Sequence, residues 1–462
     1  GSFPFSIWGQ SFSWAQDFTA SGGAGVGQIS FMQNNDLITV GGFNGTIDLD
    51  KGPGIYSLTA LGNNNMFILK EDSAGNFIWA KHIAGLSANV SGLSGKGTIV
   101  IDAMGSIYIT GAFKDSADFD PGPTVYKMAS IGNFSNAVFN AYILKLTPSG
   151  DFVWAKQLGN LNLNNSSGLA INVDDANNIY LITQFSGTID ADPGPGIVNF
   201  SPNGTAITKL DSSGNLIWAK HLPAFTQSFA TDSFDNLYLS GGFPDSVDFD
   251  IGSGVAKLYG GGMFLVKYDT ACNYQWATRV GVPGNSVKPW GTVVDPSGNV
   301  VITGSFESIV DFDPGPGVFN MTSNSTRSAF TLKLNNNGDF KWANKTGANV
   351  GLFDGRSIAT DSSGNVYTAL ELPNSCDINP GTGVFTVPAG VAVQKLDSSG
   401  NFVWGAGWQG GIPGWIGLDH NNSVYTTGTF SGANKDFDPG QGTYFLSGSS
   451  QGSGFIHKMC QG

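Results

Sequence analysis

The sequence predicts an all-β protein, a seven-bladed β-propeller of four-stranded antiparallel blades, and three observations carry that prediction. A tryptophan-centred motif, Trp-Ala-Lys in its commonest form, returns at Trp14, Trp79, Trp154, Trp218, Trp276, Trp342 and Trp404. A second motif, Asp-x-Asp-Pro-Gly-x-Gly or a variant, interleaves with it, its leading residue falling at Asp48, Asp118, Asp190, Asp248, Asp311, Asp377 and Asp436. No long amphipathic segment of 3.6-residue period breaks the series, and self-similarity at a roughly fixed period marks a repeat architecture.

Within one unit the pattern resolves into four strands, a to d. In the second unit these are Gly95–Asp102, Ser106–Phe113, Ala141–Thr147 and Asp151–Leu158, each alternating apolar with polar residues. Strands a and b are joined by turns such as Asp295-Pro-Ser-Gly-Asn299, and strands c and d by turns such as Asp397-Ser-Ser-Gly-Asn401. Asp accepts hydrogen bonds from the turn's own backbone, while Gly or Asn supplies positive φ. The blades fall at about 26–82, 95–158, 167–222, 227–280, 288–345, 355–408 and 413–459. The first strand-like run, around Phe12–Gln16, reads as a d strand with no a strand before it, and the last blade lacks a d strand. The N-terminal strand is therefore expected to complete the last blade and lock the ring.

Composition agrees. The 462 residues include 66 Gly, 33 Phe and 11 Trp, and only 12% are charged. A net charge of −13 argues against a nucleic-acid partner, which needs clustered Lys and Arg. The cysteines Cys272, Cys376 and Cys460 are odd in number and scattered, so no disulfide framework is expected. No run of 18 apolar residues is present to span a membrane, and no signal-peptide pattern is legible.

The pattern resembles the secreted and surface β-propeller repeat proteins of Bacteroidetes-type bacteria. The resemblance rests on Asp295–Phe306, Asp311-Phe-Asp-Pro-Gly-Pro-Gly317 and Lys209–Trp218, and it extends over essentially the whole chain. It implies a propeller exported to the cell surface or beyond, and it implies no activity. Asp72-Ser-Ala, Asp115-Ser-Ala, Asp245-Ser-Val and Asp269-Thr-Ala also resemble the O-glycan acceptor sites of such bacteria.

Two readings stay open for the acidic motif. Paired carboxylates at Asp48 and Asp50, Asp118 and Asp120, Asp190 and Asp192, Asp248 and Asp250, Asp311 and Asp313, and Asp436 and Asp438 are ligands that Ca²⁺ favours. The same residues also form Asx-type turns in which Pro and Gly close the bend. The sixth copy has Asn379 at the second acidic position. The repeated Trp residues read as packing between blades, since a ligand would not need one in each.

Catalytic signatures are sparse. His82 and His221 occupy equivalent positions in different blades, and Gly448-Ser-Ser450-Gln-Gly452 lies in a loop without the strand–turn–helix context of a nucleophile elbow. The only arginines, Arg279, Arg327 and Arg356, fall in three blades at different strand positions, so no carboxylate-gripping arginine cluster is expected. What breaks the repeat lies where strand a begins: Trp290, Trp415, Phe353, Asp354 and Arg356, with Phe225 nearby. These residues are expected around one mouth of the central channel, on the face that carries the long connections such as Pro123–Asn140, either as a binding site or as a plug. The leading expectation is a non-catalytic, monomeric propeller, secreted or on the cell surface. Its expected partner is a glycan, a surface protein or a component of secretion and surface assembly. The alternatives are a structural spacer in a larger surface protein and a carbohydrate-active enzyme using channel-mouth carboxylates.

Overall fold

The computed structural model describes residues 10–62, 64–85, 88–89, 98–130, 138–159, 165–281, 287–323, 326–347 and 351–461. The long apolar runs form seven four-stranded antiparallel sheets. Blade 5 is representative: strands a (Val287–Val294), b (Val300–Phe306), c (Ser328–Leu334) and d (Phe340–Thr346) hydrogen-bond in that order. Strand a of each blade touches strand a of the next, all the way round, which places these strands at the centre of a closed ring. The ring closes as the repeat count requires. In blade 7, Gln10–Phe18 pairs antiparallel with Ser453–Gln461, that strand with Val424–Phe430, and Val424–Phe430 with Ile412–Leu418. In blade 2 strand a is described only at Ile99–Ile101, so the expected start at Gly95 lies outside the described residues.

The strands depart from simple alternation in one respect. Strand b of blade 2, Ile107–Phe113, is buried at every residue, and strand b of blade 5 likewise. Each sheet is sandwiched between two neighbours, so both of its faces are interior; Thr, Ser and Gly take the polar slots. Thr110 donates to the Tyr142 carbonyl (2.6 Å) and Thr303 to that of Phe330 (2.8 Å), which settles those hydroxyls without water.

One contact recurs at the junction between blades. The d-strand Trp lies over the c–d turn of the following blade, so that a Cβ added to the turn's glycine would meet the indole: Trp14 at Gly75, Trp79 at Gly150, Trp154 at Gly214, Trp276 at Gly338, Trp342 at Gly400. These glycines have positive φ, from 76° to 86°. Where blade 4 has Cys272 at this turn position, it too adopts positive φ (63°) and packs in the cluster that holds Trp218. Two indoles also bond the turn, Trp276 to the Asn336 carbonyl (2.9 Å) and Trp342 to that of Ser398 (3.2 Å). A strand-c lysine reinforces the junction. Lys145, Lys333 and Lys458 donate to carbonyls of the next blade's turn (Ser212, Ser398 and Ser73) at 2.6–3.1 Å. In five blades that lysine faces a carboxylate of its own a–b turn, most tightly Lys333 with Asp295 at 2.7 Å. The Trp residues are packing residues, as their recurrence implied, although most are only half-buried.

Between strands b and c each blade inserts a short two-stranded ribbon, such as Ile309–Asp311 with Asn320–Thr322. The acidic motif is the bend of this ribbon. Its middle residue is the anchor: Leu49, Phe119, Ala191, Phe249, Phe312, Ile378 and Phe437 are all fully buried. Phe312 packs edge-on against Phe306 at 5.1 Å and tilted against Phe330 at 5.0 Å. The ribbon therefore lies back along the rim, where Ala117–Asp118 of blade 2 pairs with Ala84–Gly85 of blade 1. The sequence had placed these connections on the loop face; burial of the anchor draws them outward, over the edges of the d strands.

One core position is chemically out of place. Strand c ends on a buried Leu146, Leu210, Tyr268, Leu334, Leu396 or Met459, but in blade 1 on Glu71. It lies at the junction with the closing strand, beside Gln16, whose amide nitrogen is already taken by the Gly75 carbonyl (2.7 Å). Burial pushes the Glu71 carboxyl up to about 8; Lys51 opposes this and Asp72 adds to it.

Two outcomes follow. Removing Gln10–Phe18 strips blade 7 of its outer strand and leaves Gly75 without its indole, and thermal melting is expected to show lower stability of the whole ring. For Glu71, the folded form favours the proton, so its contribution is full below the usual carboxylate range and is lost as pH rises through about 8. Glu71→Gln is expected to raise the melting temperature at pH 8–9 and to change it little at pH 4. The wild-type stability difference between about pH 4.5 and 8, on the order of 1.4 kcal/mol per unit at most, should flatten in the variant.

Candidate functional site

The motif Asp-x-Asp is closed on itself. In blade 5, Asp311 Oδ1 accepts from the backbone N–H of Asp313 (3.1 Å) and of Phe319 (2.8 Å), and Asp313 Oδ1 accepts from Gly315 N–H (2.8 Å). The same bonds recur at Asp48 and Asp50, Asp118 and Asp120, Asp190 and Asp192, Asp248 and Asp250, and Asp436 and Asp438, and with Asn379 in blade 6. With Oδ1 of both residues committed to N–H groups, each turn retains at most two carboxylate oxygens, against the six to eight that Ca²⁺ takes. Among the described residues no group of three or more Asp, Glu, His or Cys side chains converges as a metal site would. This donor set does not fit a calcium cage.

Strand a carries a second repeated device. In the six blades whose strand a is described in full, its pairing with strand b slips at the same register, as at Pro289/Gly291, Gly355/Ser357 and Pro413/Trp415. Such a bulge turns a side chain out of the ladder. The strand-b residue opposite is glycine in blades 1, 4, 5 and 7, because the strand-a carbonyl crowds it: a Cβ at Gly304 would lie 2.0 Å from the Lys288 oxygen. The residue displaced by the slip is Leu169, Gln227, Trp290, Arg356 and Gly414 in blades 3 to 7, so the backbone device repeats while the residue it displaces does not.

Trp290 and Arg356 meet. The guanidinium lies 4.9 Å from the indole centroid, and Trp290 Nε1 donates to Ser305 Oγ (3.3 Å). Arg356 is held from behind: Nε donates to Glu371 Oε2 (2.7 Å) and Nη2 lies 3.1 Å from Asp354 Oδ2. Asp354, 1% exposed, also receives Arg327 Nη2 at 2.9 Å. The two arginines that the sequence scattered over two blades thus converge on one carboxylate, because the residue before strand c of blade 5 faces the start of strand a of blade 6. Arg327 and Glu371 are the members of this cluster that sequence reasoning missed. Neither belongs to a motif; only the strand order brings them together. Trp290 and Arg356 share a cavity of about 90 Å³ with Val26, Ile412, Pro413 and Gly414, residues of four blades that meet at the channel mouth.

Two expected members are elsewhere. Phe353 is fully buried in a blade-6 core cluster, where its backbone N–H donates to the Arg327 carbonyl (3.1 Å). Trp415 follows the bulge rather than occupying it, so its ring turns into the junction of blades 7 and 1, 6.1 Å from Phe31. Phe225, 46% exposed, lies on blade 4 beside a larger cavity of about 320 Å³. The four histidines stay apart: His82 bonds Asn65, His221 stacks on Phe200, His457 stacks on Trp408 and His420 is exposed on a blade-7 turn.

No family model matches the chain. An uncharacterised WD repeat-containing protein of Acanthamoeba polyphaga mimivirus is 23% identical over 469 residues, which cover 84% of this chain and 33% of that protein. This chain therefore spans about a third of the curated relative it matches. Among solved structures, a protein of unknown function from Dyadobacter fermentans aligns at a TM-score of 0.43 and 11% identity, over 99% of this chain and 100% of its own. The Dos1 propeller aligns at 0.40 and 8%, over 97% and 95%. At such scores the propeller assignment rests on the strand pairing of this chain itself.

Asp354 anchors two guanidinium groups from a buried position, so Asp354→Ala leaves both without their counter-charge. Unfolding is expected to cost about 3–5 kcal/mol less in that variant, measured by denaturant titration.

Proposed function

We propose that this chain is a non-catalytic binding propeller of a secreted or cell-surface protein, and that its channel-mouth face holds a glycan or a protein partner. The observation that supports this reading is the non-repeating set at the repeated strand-a bulge. A residue required for packing recurs blade after blade, as the d-strand Trp does; Trp290 and Arg356 do not. Their stack is rigid, with the guanidinium fixed by two carboxylates, and a preorganised aromatic and cationic surface suits a polar ligand. Asp354 and Glu371 are both held by arginines, which favours a structural over a proton-transferring role for them. The WD-repeat character of the mimiviral relative fits an interaction scaffold, and the resemblance to Bacteroidetes-type propellers fits export.

The test is a glycan array and a surface-protein binding screen with the full chain and with Trp290→Ala. Loss of at least about tenfold in affinity, roughly 1.4 kcal/mol, is expected for the ligand that binds the mouth. Binding that is unchanged by Trp290→Ala, and by a charge-reversing change at Arg356, would remove the mouth from the account.

A further inference from the structure

Blades 2 to 4 form the open cavity of about 320 Å³, lined by Ala112, Phe139, Asn165, Ser166, Gln184 and Phe225 among others. Its size is at the lower end of small-molecule sites, which run to about 300–1,000 Å³. The composition of its lining is selective. Among the described residues no Lys, Arg, His, Asp or Glu lines it, in a chain of net charge −13. A charged ligand would find no counter-charge among the described lining residues to offset its desolvation cost. Phe139 and Phe225 are both partly exposed, on different blades. An exposed aromatic ring is a stacking platform for an apolar or weakly polar face.

The polar groups of the lining are divided in an informative way. Ser166 is spent on the fold: its Oγ donates to the Leu158 carbonyl (3.0 Å) and accepts from Ala141 N–H (3.0 Å). Among the described residues Asn165 uses only its oxygen, which accepts from Phe139 N–H (3.0 Å), so its NH₂ remains as a donor. Gln184 uses only its nitrogen, donated to the Thr226 carbonyl, so its oxygen remains as an acceptor. Gln184 occupies the strand-b position that is Gly42 in blade 1 and Gly242 in blade 4, so it too breaks the repeat. Both amides are oriented by the bonds they make, and each leaves one complementary function over.

We propose that this cavity is a binding site for a neutral carbohydrate ring, with an apolar sugar face on Phe225 and Phe139 and hydroxyl groups bonded to the Asn165 NH₂ and the Gln184 oxygen. The proposal rests on the binding role given to the channel-mouth face and names its ligand class and its second locus. A sugar hydroxyl both donates and accepts, which matches one free donor and one free acceptor.

Saturation-transfer NMR on the full chain tests it, with cellotetraose, mannotetraose and maltotetraose as neutral probes. Tetragalacturonate and a short phenylalanine-containing peptide are the comparison probes. At least one neutral tetrasaccharide is expected to bind, with its dissociation constant raised tenfold or more by Phe225→Ala. Asn165→Asp keeps an oxygen for Phe139 N–H but removes the free donor, and is expected to weaken the same probe. Phe225 is half-exposed, so its variant should melt with the wild type. Binding lost in Trp290→Ala but kept in Phe225→Ala would overturn this site while leaving the binding face in place. Binding insensitive to all three variants would overturn both. Saturation of no neutral probe, or preference for the galacturonate or the peptide, would overturn the proposal.

Discussion

The ring depends on a clasp between consecutive blades, in which the d-strand indole of one sheet covers the c–d turn of the next. A propeller blade alone is a twisted four-stranded sheet with two apolar faces and nothing to cover them. The clasp fixes the spacing and sense of the ring because the turn must adopt positive φ to admit the indole, and the strand-c lysine must reach its carbonyls. Lys333, 1% exposed, shows how interior this polar work is: its ammonium is matched by Asp295 at 2.7 Å and by the Ser398 carbonyl at 3.0 Å. A buried cation with both partners present is tolerated where a lone one is not. Strand-c lysines in blades 2, 3, 4, 6 and 7 also lie over a strand-b tyrosine ring at 4.5–5.1 Å, so that turn, lysine, tyrosine and tryptophan form one continuous row.

Much of this was legible in the sequence because repetition multiplies a weak local signal. Asp-x-x-Gly-Asn turns, a fixed Trp and a fixed Asp-x-Asp segment each predict little alone; sevenfold recurrence fixes blade number, strand order and closure. The ribbon was not legible. Its strands are two or three residues long, below what periodicity can register, and the buried middle residue of Asp-x-Asp looked like the variable one. The chemical interest of the motif lies in that apolar residue and not in the carboxylates that drew attention to it.

The candidate site was half legible, for a related reason. Trp290 and Arg356 stand out because they depart from the repeat, and the structure brings them within 4.9 Å. Phe353 and Trp415 stand out equally, yet one residue of register separates a side chain displaced by the bulge from one turned into the blade junction. Sequence locates where a repeat is broken but not which way the broken position faces. Arg327 is legible in the sequence only as one of three scattered arginines and Glu371 not at all, because their role comes from strands distant in sequence.

The ribbon at the rim has a consequence for how the molecule meets its own kind. A four-stranded blade ends in an edge strand whose free N–H and C=O groups could continue the sheet into another molecule. Here the ribbons lie alongside those edges, that of blade 2 pairing with the last residues of the blade-1 edge strand. The outer wall is thus partly shielded, while apolar side chains such as Ile55, Val255 and Val384 still show on the ribbon bends at 72–82% exposure. Such a wall discourages open-ended sheet extension between neighbours, and it leaves lateral association to side chains, where it can be weak and reversible.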